Sequence, residues 1–518
     1  RIILEEYPSH LLGAIPIVLS HRVAGRKGEY ARTMSAILDA YLHDQMYHGL
    51  ASLERVLRRH GYRRPMLVVH NSGGMAQMSS THALQTVHSG PVAGLEATQS
   101  LSVQFDEPNL IATDMGGTSF DIGLVTGDGV KFYDFNPIID RWLVSTPMSY
   151  LHTLGAGGGS IARFNRLWNA VEVGPESAGS DPGPACYGRG GRFPTTTDAN
   201  LILGYLDENN YAGGRIKLNR RRAERAIREH ICEPTGLDLE GAALAMRRKV
   251  DANMADAIFK EVAVKGYDPR QFTLLSYGGG GPLHACGYAG KIGISRILIP
   301  PFSAVFSALG AGSMNQLHIH ERSLYLMLYD ATKRQVLDDF TRINETVALL
   351  EELGREDLLR QGVAPDAIRV RVEFDMRYGN QLAQTAVVSP INRVRSDQDV
   401  MTLLDLFSAN YQKRYGVGSA APEAGIRVNV IRVLSYVEHA AVMLERAAPR
   451  PAAMATPKST RDCWYDGIEG PVSTRVYDIA EVPEGAVIAG PALVETPHTT
   501  YLVYPDWSLT MGRQGSAW

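Results

Sequence analysis

The sequence predicts an α/β protein that closes with a small all-β region. Three observations carry that expectation. Short apolar runs flank glycine-rich turns, as Leu110-Ile111-Ala112 and Ile122-Gly123-Leu124-Val125 do. Other segments space their apolar residues three and four apart, as at Met34, Ile37, Leu38, Tyr41 and Leu42. Residues 461–518 break into short strand-like runs with turns at Pro483-Glu484-Gly485 and Gly490-Pro491, the pattern of an all-β cap.

Residues 1–105 read as a first α/β part. Ile15 to Ser20 predicts a buried strand, residues 29–60 a helix, and Pro65 to His70 a second strand ending on the turn Asn71-Ser72-Gly73-Gly74. His88 to Gly94 opens a helix through residue 101, with Gly and Pro in its first turn. Residues 106–320 form a core part. Within it, 218–266 is strongly helical, with a face of Met246, Val250, Met254, Ile258 and Val262, and Ile297 to Ile299 is a strand stopped by Pro300-Pro301. Residues 321–447 are an α+β part, with a charged amphipathic helix over 332–361 and a strand pair over 368–390 around Tyr378-Gly379-Asn380. Residues 448–460 are a Pro/Ala/Ser-rich linker.

The chemistry concentrates in the core part. Asp114-Met115-Gly116-Gly117-Thr118-Ser119-Phe120-Asp121 reads as strand, tight turn, strand. Gly116 and Gly117 leave room for a ligand's oxygens to approach the backbone, and Thr118 and Ser119 add hydroxyl donors. Asp114 and Asp121 flank the turn and suit a hydrated divalent cation, so the whole suits a nucleotide phosphate. Taken alone, the stretch reads equally well as an ordinary Gly-Gly hairpin with surface aspartates. Two further loops, Leu154 to Ser160 (LGAGGGS) and Ser276 to His284 (SYGGGGPLH), each follow a strand-like run and precede a segment that can be helical. Such loops aim backbone N–H groups and a helix N-terminus at anionic groups. Gly155, Gly157, Gly158, Gly159, Gly278, Gly279, Gly280 and Gly281 are therefore candidate ligand-binding residues. Three such loops together are hard to explain as incidental turns.

Other candidates carry two readings each. Gly174 to Arg192 is too rich in Gly and Pro for regular structure and reads as a functional loop. Asp198 stands at an apparent helix start, as an N-cap or a ligand contact. His284 is a candidate catalytic base because histidine titrates near neutrality, or a helix-start residue that packs. Cys186 is a candidate nucleophile with no base readable beside it, or a small buried residue.

A net charge of −3 gives no support to a nucleic-acid or anionic-membrane partner. No run of eighteen apolar residues is present, so no membrane span is expected. Four dispersed cysteines without a C-x-x-C argue against a disulfide framework or a cysteine-rich zinc site, and a reducing cytoplasm is the expected compartment. The chain starts at Arg1 inside an apolar run, so it is expected to continue a longer polypeptide.

In this order the motifs resemble the hydantoinase A/5-oxoprolinase family, which includes ATP-dependent ketone carboxylases. The matching stretches are SHRVAGRKGEYARTMSAILDAYL at 20–42, NSGGM at 71–75, SGPVAG at 89–94, DMGGTSFDIG at 114–123 and GAGGGSIA at 155–162. GPESAGSDPGPACYG at 174–188, TDANLILGYL at 197–206, YGGGGPLHA at 277–285 and FSALG at 306–310 complete the set. The resemblance implies an actin/Hsp70/sugar-kinase-like (ASKHA) fold with ATP between two lobes. DMGGTSFD then looks like the second phosphate hairpin, with Asp114 and Asp121 holding Mg2+ or Mn2+ and Gly116 to Ser119 cradling phosphate. GAGGGS and YGGGGP look like loops lining the nucleotide. The family's first phosphate hairpin is not in this sequence, so part of the cleft is expected on preceding residues or on another chain. The implied activity is phosphorylation of a substrate oxygen. It would serve carboxylation of a ketone by bicarbonate to a 3-oxo acid, or opening of a cyclic amide as in N-methylhydantoinases and 5-oxoprolinases. A non-catalytic scaffold is a third alternative. Arg377 to Gln384 (RYGNQLAQ) lacks the glutamate of hydantoinase-type members, which tilts the resemblance toward acetone- or acetophenone-type carboxylases. Such enzymes are multi-subunit, and a hydantoinase B-like subunit is the expected partner.

Overall fold

The computed structural model describes residues 17–127, 133–381, 384–439 and 454–518. In chain order its main elements begin with helix α1 (Glu29–Arg59), strands β1 (Leu67–Val69) and β2 (Met75–Gln77), and helix α2 (Ser89–Phe105). Strands β3 (Leu110–Met115), β4 (Phe120–Val125), β5 (His152–Leu154), β6 (Ser160–Asn165) and β7 (Ala170–Ser177) follow. Next come helices α3 (Thr196–Ile202), α4 (Arg220–Ile227) and α5 (Leu239–Val264), strand β8 (Thr273–Tyr277), helix α6 (Gly281–Lys291) and strand β9 (Ile297–Leu298). The remainder is β10 (Gln316–Asp330), α7 (Thr341–Arg360), β11 (Arg369–Tyr378), β12 (Thr385–Val388), α8 (Asp397–Tyr415), β13 (Ile426–Val437), β14 (Ser459–Cys463), β15 (Val472–Asp478), β16 (Ala492–Glu495) and β17 (Thr500–Val503).

These elements divide between two compact units that interleave along the chain. The first takes residues 1–93, 132–150 and 313–441; the second takes 94–131, 151–312 and 442–518.

In the first unit a mixed sheet runs β1-β2-β10-β13-β11-β12, antiparallel except where β2 meets β10. One face buries Phe374, Ile431 and Val433 against Ile343, Val347 and Leu350 of α7 and Val400, Leu403 and Phe407 of α8. The other face is charged. Arg432 on the central strand reaches Glu373 at 2.8 Å and Asp375 at 3.0 Å, and Arg26 reaches Glu321 at 2.9 Å and the same Asp375 at 2.5 Å. Both guanidinium groups stack on Phe135 at 4.0 Å. Each member of this buried set faces an opposite partner, which offsets part of the cost of taking it out of water.

Helix α1 forms where periodicity predicts it, but its buried face differs from the expected one. Ala31, Ser35 and Asp39 are buried, whereas Ile37 and Tyr41 are 52% and 74% exposed. The cause is polar: Ser145 N donates to Ser35 Oγ and Leu84 N donates to Asp39, at 2.8 and 2.9 Å. The strand expected at 15–20 is also overturned. Ile15 and Pro16 lie outside the described residues, Ile17 and Leu19 are 40% and 42% exposed, and Ser20–Val23 is one helical turn.

In the second unit a five-stranded sheet has the order β9-β8-β3-β4-β5. Strands β3, β4 and β5 form an antiparallel meander, and β8 and β9 add in parallel. The buried face of α5 contains Met246, Val250, Met254, Ile258 and Val262, as its spacing predicts, and Asp238 caps its start by accepting from Gly241 N. The helical stretch breaks at Gly236, whose φ of +76° ends the preceding turn. The C-terminal sheet is β14-β15-β16-β17, so the short strands read from 461 onward form as expected.

Candidate functional site

The hairpin of β3 and β4 is the centre of the site. Asp114 pairs directly with Asp121 across the two strands, so both carboxylates leave the sheet on one face. Burial, and then the Asp121 charge, push Asp114 up from 3.8 to about 6, partly opposed by a hydrogen bond from Ser307. Asp121 is buried and accepts from Thr153 Oγ1 at 2.5 Å.

The other two glycine-rich loops grip this hairpin through backbone bonds. Gly158 N donates to Gly116 O at 3.1 Å, Gly159 N to Gly117 O at 2.7 Å, and Gly280 N to Met115 O at 2.9 Å. Contact this close is what the glycines permit. A Cβ on Gly157 would stand 2.6 Å from Thr118 N, and one on Gly278 would stand 2.3 Å from Asp114 Oδ1. Gly155 packs equally tightly on Pro175. Gly158 and Gly159 therefore spend their amides bracing the hairpin. Among the described residues, no protein acceptor takes up the amides of Gly117, Thr118 and Gly279, all exposed. The YGGGGP loop leads from strand into helix, as predicted, with Pro282 in the first turn of α6. The GAGGGS loop does not: it leads into strand β6, because the paired β7 claims residues 160–165 as a hairpin partner. The Gly174 to Arg192 stretch is partly regular for the same reason, its first residues belonging to β7.

An open cleft of about 230 Å3 extends from the hairpin tip. Gly116, Gly117, Gly158, Gly159, Gly279 and Gly280 line one part of it, with Asn200 and His284 beside them. His284 is wholly buried in α6. Its Nδ1 lies 2.6 Å from Asp251, and its Nε2 3.0 Å from the Asn200 amide. Arg247 NH1 donates to Asn200 Oδ1 at 2.5 Å, which turns the Asn200 NH2 toward His284 and leaves the imidazole proton on Nδ1. Burial first, and Arg247 second, hold His284 down at about 4, with Asp251 pulling the other way. Burial works to raise Asp251, but Arg247 and His284 outweigh it and keep it ionised.

Asp198 does not face a ligand. It accepts from Thr195 N at 2.8 Å and Cys186 N at 2.7 Å, closing a capping box in which Thr195 is the N-cap. Cys186 is buried and its thiol is pushed far up, first by burial and then by Asp198, which leaves no thiolate for nucleophilic attack. Arg377 and Tyr378 end β11 in the first unit, and Leu382 and Ala383 lie outside the described residues. Sequence reading missed the turn at Glu495 to Thr500, which lines the same cleft from the C-terminal sheet. Nothing local in Glu495-Thr496-Pro497-His498-Thr499-Thr500 announces that position.

Among the described residues, no group of three or more His, Cys, Asp or Glu is placed to hold a metal ion. No helix among them is long and apolar enough to cross a membrane.

The hydantoinase/oxoprolinase family model matches residues 32–319, and the hydantoinase/oxoprolinase C-terminal domain matches 330–513. The acetophenone carboxylase gamma subunit of Aromatoleum aromaticum is 36% identical over all of this chain and 70% of its own length. The ATP-dependent caprolactamase structure from Pseudomonas jessenii superposes with a TM-score of 0.84 at 28% identity, covering 98% of this chain and 73% of that one. A nucleotide-free acetone carboxylase structure, from work on ATP-dependent acetone carboxylation, gives a TM-score of 0.79 at 26% identity, covering 100% and 72%. With glycine loops, paired aspartates and both domain matches in agreement, the chain belongs to the hydantoinase/oxoprolinase family.

Proposed function

We propose that this chain is the ATP-binding and ATP-hydrolysing subunit of an ATP-dependent ketone carboxylase, working with further subunits. The observation that carries the reading is the hairpin tip at Gly117 and Thr118, with unbonded amides beside the carboxylate pair of Asp114 and Asp121. The order β9-β8-β3-β4-β5, a meander continued by two parallel strands, supports an ASKHA-type nucleotide lobe.

The donor set fits a hard divalent cation such as Mg2+. Burial first, and repulsion by Asp121 second, raise Asp114 to about 6, and a cation between the two carboxylates would relieve that repulsion. Asp114 and Asp121 would hold it, leaving its other positions to water and phosphate oxygens; its chemistry is neutralisation of charge on the triphosphate. The amides of Gly117, Thr118 and Gly279 then donate to phosphate oxygens, and the Thr118 hydroxyl adds a further donor. His284, held between Asp251 and Asn200, fixes the first turn of α6 and with it the YGGGGP loop, so we assign it a positioning role.

Similarity to the acetophenone carboxylase gamma subunit favours a ketone, activated as a phosphorylated oxygen before carboxylation. The caprolactamase superposition, the higher of the two TM-scores, favours cyclic-amide hydrolysis as the second reading. Assays of the assembled enzyme separate them. ATP hydrolysis that depends on ketone and bicarbonate is expected; hydrolysis that answers to a lactam, hydantoin or 5-oxoproline and ignores ketone would favour the second. Asp114→Ala should abolish ATP hydrolysis, and unchanged turnover would leave only a scaffold role.

A further inference from the structure

We propose that the Glu495–Thr500 turn, together with residues 207–211, reads the sugar and base of the nucleotide, making the C-terminal β-sheet a specificity element. The inference rests on the nucleotide reading above and extends it to residues that reading does not use. The lining of the cleft separates by chemistry. At the hairpin end it is almost pure backbone, suited to phosphate. At the other end stand Asp207, Asn210, Tyr211, Glu495, His498 and Thr499. No lysine or arginine lines the cleft among the described residues, and two carboxylates at this end disfavour a further anion. Carboxylates, amides and hydroxyls around aromatic rings suit a neutral, hydroxylated, flat group instead.

The turn is preorganised for this task. Thr496 N donates to Thr499 O at 2.9 Å, and Thr499 N donates back to Thr496 Oγ1 at 2.9 Å. Thr499 Oγ1 donates to Gly279 O at 2.9 Å, tying the turn to the glycine loop that faces the phosphates. Arg461 donates to Asp207 and to Glu495 at 2.8 Å each, and Asn210 Nδ2 reaches Glu495 at 3.3 Å, so the two sides are cross-linked. Lys458 Nζ meets the other Glu495 oxygen at 2.8 Å, so Glu495 braces this wall, while Asp207, bonded to Arg461 through one oxygen, keeps acceptor capacity for a sugar hydroxyl. Tyr211 is fixed by a 2.9 Å bond between its hydroxyl and that of Tyr187. The His498 side chain is exposed on the cleft wall and free to lie against a base.

Calorimetric titration of the assembled enzyme with Mg-ATP and with magnesium tripolyphosphate tests the assignment, using wild type, His498→Ala and Asn210→Ala. His498 is exposed, so its replacement leaves the fold intact, which thermal melting checks. ATP binding about ten-fold weaker in each variant, with tripolyphosphate binding unchanged, is expected from loss of one ring contact or hydrogen bond. ATP affinity that is unchanged, or that falls in step with tripolyphosphate, overturns the assignment while leaving the phosphate site standing. An assembled wild-type enzyme that binds neither probe overturns the nucleotide reading and this inference with it.

Discussion

Replacing Asp114 by Asn gives a direct physical test of the site. In the folded chain burial and Asp121 hold the Asp114 carboxyl at about 6, against 3.8 when it is free. An acid whose folded value is raised stabilises the fold while protonated, so its contribution is intact below about pH 4 and disappears as pH rises through 6. Above that, the ionised carboxylate destabilises the second unit by about 3 kcal/mol. Asn keeps the shape and cannot ionise. The variant should therefore match wild type near pH 4 and exceed it by up to about 3 kcal/mol at pH 7.5, read as the urea midpoint of unfolding. Adding MgCl2 without nucleotide at pH 7.5 should raise the wild-type midpoint and leave the variant's unchanged. A variant that is less stable than wild type at pH 7.5, with an unaltered pH profile, would refute both the repulsion between the carboxylates and the cation site built on it.

Gly157→Ala should cut ATP affinity while the far-ultraviolet dichroism stays native, because the new methyl would overlap Thr118 N and displace the hairpin tip, a strain of about 1–3 kcal/mol. Buried His284 titrates at about 4 in the fold and near 6.5 outside it, so its contribution to stability is full above pH 6.5 and falls as the solution is acidified toward 4; His284→Gln should flatten that part of a pH series of melts. Arg432→Met should destabilise the first unit by up to about 3 kcal/mol in urea unfolding, since buried Glu373 and Asp375 would each lose one of two guanidinium partners, keeping only Arg371 and Arg26 respectively.

What the sequence disclosed follows from how local each feature is. The β3–β4 hairpin is legible because its turn chemistry and its two apolar runs are contiguous. The buried stripe of α5 is legible for a similar reason, its five apolar residues recurring at strict four-residue spacing. Helix α1 misleads because its buried side holds Ser35 and Asp39, whose partners, Ser145 N and Leu84 N, lie far away in sequence. The strand after GAGGGS is hidden for a related reason: pairing with β7 overrides the helix expected after a glycine-rich loop. His284 shows a third limit. Its surroundings come from α3, α5 and α6, so neither its burial nor the orientation of its ring could be read from the residues beside it.

Interleaving of the two units bears on biosynthesis. Neither owns an unbroken stretch of polypeptide: the first still lacks strands until residue 441 emerges from the ribosome, and the second waits for residues 442–518. Nascent chains must therefore keep both halves unfinished through most of translation, exposing apolar strands that chaperones have reason to shield. A premature stop before the final sheet would leave the second unit unfinished and the cleft without its Glu495–Thr500 wall, a substrate for proteolysis.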